Sequence, residues 1–368
     1  MKKTLKLLIV AGARPNFMKV APLIRSIRSW PADASPALEY RLVHTGQHYD
    51  AKMSDVFFRE LGIPAPDFNL EAGSGSHAVQ TAHVMLKFEP VLLAEKPDWL
   101  VVVGDVNSTM ACTLVASKMG VKVAHVEAGL RSFDRTMPEE INRLVTDAIA
   151  DLLLTPSEDA SENLRREGVS ESKIKLVGNI MIDSLVDNLP AARASQILSS
   201  LQVEPGRFAY VTLHRPSNVD NHESLRAIMG QLENLSLQMP VVFPMHPRTR
   251  KMLSEFAIAL NKSPALKIVD PVGYHDSLCL TENARLVLTD SGGLQEESTY
   301  FRTPCLTLRP NTERPVTVTQ GSNRLTSLAN LAADIEHRLS GPPRLGQCPS
   351  LWDGITATRI LRALLDHG

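Results

Sequence analysis

Short apolar runs alternate with helix-period stretches along most of this chain, and that alternation leaves few folds open to it. Strands are expected at residues 5–10, 40–45, 99–103 and 121–126, with another near 152–155, and in the same style at 209–213, 241–244, 266–269, 286–289 and 305–308. Each is followed by a turn and a polar or amphipathic stretch, the pattern of parallel sheets covered by helices. At 368 residues the chain exceeds most single cores, so two domains are expected, 1–179 and 180–351. Residues 178–206 join them through a polar, helix-like segment with Pro205, a natural hinge. The expected class is α/β, two doubly wound domains facing a cleft. Ligands of such sheets bind beyond the carboxyl ends of the strands, so the residues just after each strand carry the functional information.

Composition narrows the partners. With 39 basic and 40 acidic side chains the net charge is −1, which provides no basic footprint for nucleic acid. Small molecules are the expected partners. Cys112, Cys279, Cys305 and Cys348 show no C-x-x-C spacing, which argues against a disulfide framework and a zinc cage and for reduced thiols. The opening Met1-Lys2-Lys3 and the apolar run after it resemble a signal peptide superficially, but the run ends at Arg14-Pro15 and serves better as a buried first strand. No run approaches the ~20 apolar residues of a membrane span, so a cytoplasmic protein that does not enter the membrane is expected.

The strand ends are rich in chemistry. Leu286-Val287-Leu288-Thr289 leads into Asp290, then Ser291-Gly292-Gly293 and a helix, a local sign of a phosphate site: glycines allow close backbone approach and the helix start offers N–H groups to an anion. The competing reading is an ordinary turn capped by Ser291. Glu296 and Glu297, read as first-turn carboxylates, suit the helix dipole, and one could reach a ribose hydroxyl. After the first strand, Arg14 and Lys19 fall at a helix start, where cations oppose the dipole unless they face an anion. Asp105 follows the third strand, where an N-cap role accounts for it as well as catalysis does. Glu127, beside Gly129, ends the fourth strand, and core packing does not explain a carboxylate there. Pro138-Glu139-Glu140-Ile141-Asn142-Arg143 reads as a helix start with acids in its first turn. The strand at 209–213 delivers His214 and Arg215, and His246 sits in a loop near the ligand. His44, His48 and Asp50 suggest a metal, but Gly46 breaks any helix that would align the histidines, so no metal is expected.

Taken together, Gly12-Ala13-Arg14-Pro15, Gly104-Asp105, His125-Val126-Glu127-Ala128-Gly129-Leu130-Arg131, Pro138-Glu139-Glu140-Ile141-Asn142-Arg143, His214-Arg215, Asp290-Ser291-Gly292-Gly293-Leu294-Gln295-Glu296-Glu297 and Thr312-Glu313-Arg314-Pro315 closely resemble the non-hydrolysing UDP-N-acetylglucosamine 2-epimerases, from residue 5 to about residue 325. The resemblance implies the GT-B architecture, two Rossmann-like domains, with a C-terminal helix at about 352–368 crossing back onto the first. It implies interconversion of UDP-GlcNAc and UDP-ManNAc by anti elimination of UDP to 2-acetamidoglucal and syn re-addition, with no cofactor. It also implies a homodimer.

By the same resemblance Asp105, Glu127, Glu139 and His214 are the catalytic candidates, with Asp105 and Glu127 at the C2 proton. Arg14, Lys19, Arg143, His246, Ser291, Gly292, Gly293, Glu297 and Arg314 are the UDP-sugar-binding candidates. Because the glucal must be kept from water, domain closure around 178–206 is expected. Departures are informative. Asn16 replaces a Glu common in the family, and Pro216-Ser217 replace Arg-Glu, which leaves the UDP end intact and opens the choice of acyl sugar. Gln47-His48 resembles part of the second UDP-GlcNAc site by which bacterial members are activated, but Tyr49 stands where Arg is usual. The alternatives are a 2-epimerase of a UDP-diacetamido sugar, a GT-B glycosyltransferase and, from another class, a non-catalytic UDP-sugar sensor.

Overall fold

The apolar runs become strands of two sheets in which every pairing is parallel. The structure, a computed structural model, describes residues 4–31, 33–46, 62–259 and 263–367, except for the side chains of Arg14 and Pro15. The first sheet contains β1 (Thr4–Ala11), β2 (Ala37–His44), β3 (Phe68–Asn69), β4 (Trp99–Val103), β5 (Lys122–Val126), β6 (Leu152–Thr155) and β7 (Ile174–Leu176), in the spatial order β3-β2-β1-β4-β5-β6-β7. The second contains β8 (Ala209–Thr212), β9 (Val241–Pro244), β10 (Leu266–Val269), β11 (Leu286–Thr289), β12 (Cys305–Leu308) and β13 (Asn323–Thr326), in the order β10-β9-β8-β11-β12-β13.

The central strands explain their sequences. All five residues of β4 and all four of β11 and β12 are buried, because helices cover both faces. Three strands were not legible, β3, β7 and β13, and all three include or adjoin a sheet edge. An edge strand needs less burial and tolerates polar residues such as Asn323 and Arg324, so it carries a weak apolar signal.

In each sheet the order reverses once, between β1 and β4 and between β8 and β11. These are the switch points at which diverging helices leave a crevice beyond the strand ends.

The chain divides into two compact units, Met1–Ser184 with Ser350–Gly368, and Leu185–Pro349, and passes from one to the other inside the helix Ile180–Arg193. The polar segment expected at 178–206 is corrected here, since the helix begins with the buried apolar residues Ile180, Ile182 and Leu185. The C-terminal helix Thr356–Asp366 packs on the helix Arg14–Arg28 of the first unit. Its first amides, Thr356 and Ala357, donate to the buried Asp183 carboxylate at 3.0 and 2.7 Å, a cap supplied from a distant segment. Gly178, at φ +94°, permits this return: a Cβ there would lie 2.2 Å from the Leu351 carbonyl oxygen.

Cys112, Cys279 and Cys305 are buried, Cys348 is exposed, and all four are free thiols. Among the described residues no helix is long and apolar enough to cross a membrane.

Candidate active site

At the switch point of the first unit, the turn after β1 is latched to the end of β4 by Asn16. Its Oδ1 accepts the Gly12 and Ala13 N–H groups at 2.9 and 3.1 Å, and its Nδ2 donates to the Val103 carbonyl at 3.1 Å. The residue that departs from the family pattern is therefore a buried structural tie. Gly104 follows at φ +66°, where a Cβ would meet Lys19 Nζ at 2.7 Å. Arg14 opens the helix Arg14–Arg28, but Lys19 lies in its second turn, buried and ion-paired with Glu127. The cation expected to oppose the dipole is thus matched by a carboxylate.

Glu127, the residue after β5, is 4 % exposed and adopts φ +71°. The left-handed conformation costs a residue with a Cβ about 1–2 kcal/mol, and such strain concentrates where a side chain must be aimed. Gly129, two residues on, is also left-handed, and a Cβ there would lie 2.2 Å from the Ala160 carbonyl oxygen.

Asp105 does not cap a helix. The N-cap of the helix Asn107–Lys118 is Val106, and the Asp105 carboxylate, 31 % exposed, instead accepts from Arg143 Nη1 at 2.5 Å. Asn142 Nδ2 donates to the Asp105 carbonyl at 2.8 Å. Arg143 is buried between two acids, with Glu140 Oε2 at 2.6 Å from Nη2 and 3.0 Å from Nε. Glu140 also accepts the N–H groups of Ser132 and Phe133. Burial opposes its ionisation, but the Ser132 N–H and the Arg143 guanidinium outweigh it and hold the carboxyl below its usual range.

The helix Pro138–Ile149 is amphipathic in reverse. It buries Glu140, Asn142, Arg143, Thr146 and Asp147 and leaves Ile141, Leu144 and Val145 partly exposed. Glu139, the carboxylate singled out from sequence, is exposed on its first turn. The stripe Glu140, Arg143, Asp147 at helical spacing was the available signal for the inward face.

Behind this face, His125 is fully buried between Asp147 Oδ1 at 2.6 Å and the Gly104 carbonyl at 2.8 Å. Asp147 Oδ2 accepts from Gly129 N–H and Arg131, and Arg131 forms a two-point pair with Glu167. Burial opposes ionisation of Asp147, yet His125 and Arg131 hold its carboxyl down. This network fixes the backbone that carries Asp105 and Glu127.

His44 packs on Phe17 with ring centroids 5.4 Å apart, and burial lowers its pKa. Gln47, His48 and Asp50 lie outside the described residues. Among the described residues no group of three or more His, Cys, Asp or Glu could hold a metal ion.

In the second unit, β8 delivers His214 and Arg215, and β11, its neighbour at the switch point, delivers Asp290 and Ser291. Ser291 is the N-cap residue of the helix Gly292–Phe301, but its side chain makes no capping hydrogen bond. The capped-turn reading does not hold, because the Ser291 hydroxyl takes none of the first amides of the helix. Arg314 lies close over Gly292, its Nη1 2.9 Å from where a Cβ would stand. Arg314 pairs with Glu313 and, at 2.8 Å, with Glu296.

Glu296 and Glu297 lie in the second turn and are buried, so the first-turn placement expected for them is corrected: Gly292 itself is the first helical residue. Burial, then the neighbouring Glu296, raises the Glu297 pKa to about 8. His246 caps the helix Pro247–Glu255 by accepting from Arg248 N–H at 3.1 Å, and its ring centroid lies 5.4 Å from that of His214.

The family model for UDP-N-acetylglucosamine 2-epimerase matches residues 32–365. The chain belongs to the UDP-N-acetylglucosamine 2-epimerase family. Among curated members of the family, the UDP-N-acetylglucosamine 2-epimerase of Methanocaldococcus jannaschii is 46 % identical over 329 residues, covering 87 % of this chain and 88 % of the relative. A UDP-2,3-diacetamido-2,3-dideoxy-D-glucuronate 2-epimerase of Pseudomonas aeruginosa is 42 % identical over 328 residues, covering 88 % and 89 %. The crystal structure of the M. jannaschii UDP-GlcNAc 2-epimerase in complex with UDP-GlcNAc and UDP superposes with a TM-score of 0.87 at 42 % identity, covering 99 % of this chain and 100 % of the other. The architecture is accordingly that of the GT-B 2-epimerases, two Rossmann-like units, and the family is one of isomerases. The residues that sequence reasoning passed over are the ones that hold others, Glu140, Asn142 and Asp147 in the first unit and Asp290 and Glu313 in the second.

Proposed function

We propose that this chain interconverts UDP-GlcNAc and UDP-ManNAc by anti elimination of UDP to 2-acetamidoglucal, followed by syn re-addition. The observation that carries the reading is the pair of carboxylates at the first switch point, Glu127 strained and backed by Lys19, Asp105 held by Arg143. The C2–H bond is not adjacent to a carbonyl, so its acidity must come from departure of the C1 oxygen, and stabilising the leaving group is the first task. The open helix start at Ser291-Gly292-Gly293, with Arg314 against it, suits a diphosphate, while Glu297 suits the ribose. Proton transfer on the two faces of C2 falls to Asp105 and Glu127, each contributing about 10²–10⁴-fold, with His214 and Glu139 serving the leaving group. Arg143 orders Asp105 in this scheme, and His246 stands beside His214.

A second reading concerns the acyl sugar. Asn16 and Pro216-Ser217 depart from the family pattern, and a relative of 42 % identity acts, by its name, on a UDP-diacetamido uronate. The test is to offer the purified protein UDP-GlcNAc and a UDP-diacetamido sugar separately and to follow the anomeric proton signals. Epimerisation of UDP-GlcNAc with the higher kcat/KM supports the first reading; preference for the diacetamido sugar replaces it with the second; release of UDP to an acceptor without epimerisation indicates a transferase.

The same reading includes a homodimer. The helix His77–Glu95 exposes Val79, Leu86 and Leu93 at 46, 68 and 56 % with heptad spacing. A stripe of that kind is covered by a second copy through a two-fold axis. Light scattering at micromolar concentration should give a dimer mass, and Leu86→Arg a monomer; a monomeric wild type contradicts the assignment. Four free thiols suit a reducing compartment, and a cytoplasmic location goes with them.

A further inference from the structure

His214 has a partner that its own sequence neighbourhood does not reveal. The Asp290 carboxylate, fully buried at the end of β11, directs Oδ1 at His214 Nδ1, 3.0 Å away. Its Oδ2 is taken by three donors: the N–H groups of His214 and Arg215 at 3.0 and 2.9 Å, and Asn218 Nδ2 at 3.0 Å. Burial opposes ionisation of Asp290, but the hydrogen bond from His214 and its neighbours hold the carboxyl below its usual range. An ionised carboxylate only accepts, so the proton on the imidazole must sit on Nδ1 and Nε2 is the atom left to face outward.

His246 holds the opposite tautomer. Its Nδ1 accepts the Arg248 N–H, so its proton sits on Nε2 and the ring is neutral. Among the described residues His214 is flanked by the buried Asp290 carboxylate, the His246 ring and Arg215, whose Nε is directed to the Asp290 carbonyl at 3.0 Å.

We propose that Asp290 is a positioning residue for epimerisation: acting through Nδ1, it fixes the orientation and tautomer of His214 so that Nε2 exchanges a proton with the departing diphosphate. The inference rests on the epimerase reading. As the C1–O bond breaks, the electron pair stays on the β-phosphate oxygen, the imidazolium form of His214 gives that oxygen its Nε2 proton and is left as the neutral ring whose Nδ1–H faces Asp290, and re-addition returns the proton to Nε2.

Asp290→Asn is the informative variant. Three donors converge on Oδ2, so the amide oxygen must occupy that position and the amide NH₂ must face His214 Nδ1. The ring is then forced to accept at Nδ1 and carry its one proton on Nε2, the inverted tautomer, which cannot take the second proton at Nδ1 and so could give up its Nε2 proton only as an imidazolate. Where a buried aspartate orients a catalytic histidine, this inversion costs up to about 10⁴-fold in kcat. The expected result here is a loss of roughly 10²–10⁴-fold in kcat with KM changed less than about threefold, and displacement of the pH-profile limb that belongs to His214. The double variant Asp290→Asn/His214→Gln is expected to be no slower than His214→Gln alone, because Asp290 acts only through that ring.

The wild-type enzyme provides an independent readout. In full-length protein carrying ¹⁵N-histidine, the His214 resonances should report a protonated, hydrogen-bonded Nδ1 throughout the active pH range. Additive losses in the double variant, or an unprotonated Nδ1 in an active wild type, overturn the dyad while leaving the epimerase reading intact. A wild type that leaves UDP-GlcNAc unchanged overturns the epimerase reading and the dyad's catalytic role together.

Discussion

Glu139 and Glu140 are adjacent acids on one helix, and the structure predicts opposite consequences for removing their charges. Glu140 is 2 % exposed, and its Oε2 alone accepts from Ser132 N–H, Ser132 Oγ, Arg143 Nε and Arg143 Nη2. In Glu140→Gln the amide oxygen takes that position, the NH₂ is turned toward the Phe133 N–H, and Arg143 is left buried with Asp105 as its one remaining anion. Breaking one partner out of a buried ion pair costs about 3–5 kcal/mol, and the surviving Asp105 contact argues for the lower end, about 3 kcal/mol. For a unit of roughly 200 residues that is a fall of about 6–12 °C in Tm, read by calorimetry or circular dichroism. Glu139, exposed in the first turn, interacts with the helix dipole for about 0.3–1 kcal/mol, so Glu139→Gln should change Tm by only a few degrees.

The pH dependence has a definite sign. The Glu140 pKa is depressed in the folded state, so its stabilisation is complete above the unfolded value, about 4.3, and is lost as pH falls through the folded value. The gap between wild type and Glu140→Gln should therefore narrow below about pH 4. A Glu140→Gln protein within about 1 kcal/mol of wild type at pH 7, or a gap unchanged on acidification, would refute the assignment of Glu140 as the anchor of Arg143.

Three further outcomes follow from the same geometry. Gly129→Ala places a Cβ 2.2 Å from the Ala160 carbonyl oxygen at φ +80°, so it should destabilise by roughly 2–5 kcal/mol in urea denaturation, and a loss below about 1 kcal/mol would contradict the packing. Lys19→Met leaves Glu127 buried without its cation and should cost about 3–5 kcal/mol, whereas the double variant Lys19→Met/Glu127→Gln should recover part of that loss; equal stabilities would show that the pair is not coupled. Glu297 has a raised folded pKa, so an unfolded chain binds fewer protons than the folded one between about pH 4.5 and 8 and stability falls with pH across that window. Glu297→Gln should therefore be matched to wild type near pH 4 and more stable than it near pH 9, while binding UDP less tightly; a stability difference independent of pH would show that Glu297 ionises normally.

Much of this was readable beforehand because parallel sheets expose their logic in sequence. Buried central strands such as β4 and β11 are continuous apolar runs, and the residue that ends each run falls at the strand tip, so Asp105, Glu127, His214 and Ser291 could be found by position alone. What stayed hidden depends on neighbours distant in sequence. Asp290 reads as one more polar residue in a turn until β8 and β11 are known to be adjacent, 76 residues apart at the His214 contact. Glu140 could not be separated from Glu139 without knowing that this helix buries its polar side, against the usual expectation for amphipathic helices. Edge strands β3, β7 and β13 were missed because sheet edges require little apolar sequence, and Glu296 and Glu297 were placed one turn early because the glycines were counted as turn rather than helix.

The most direct test of the central claim is proton NMR of UDP-GlcNAc incubated with the full-length protein in D₂O. Elimination and re-addition through carboxylates that exchange with solvent predict UDP-ManNAc bearing deuterium at C2, and progressive deuteration at C2 of the UDP-GlcNAc that remains. UDP-ManNAc that keeps its C2 proton, or an unchanged spectrum at high enzyme concentration, would contradict it.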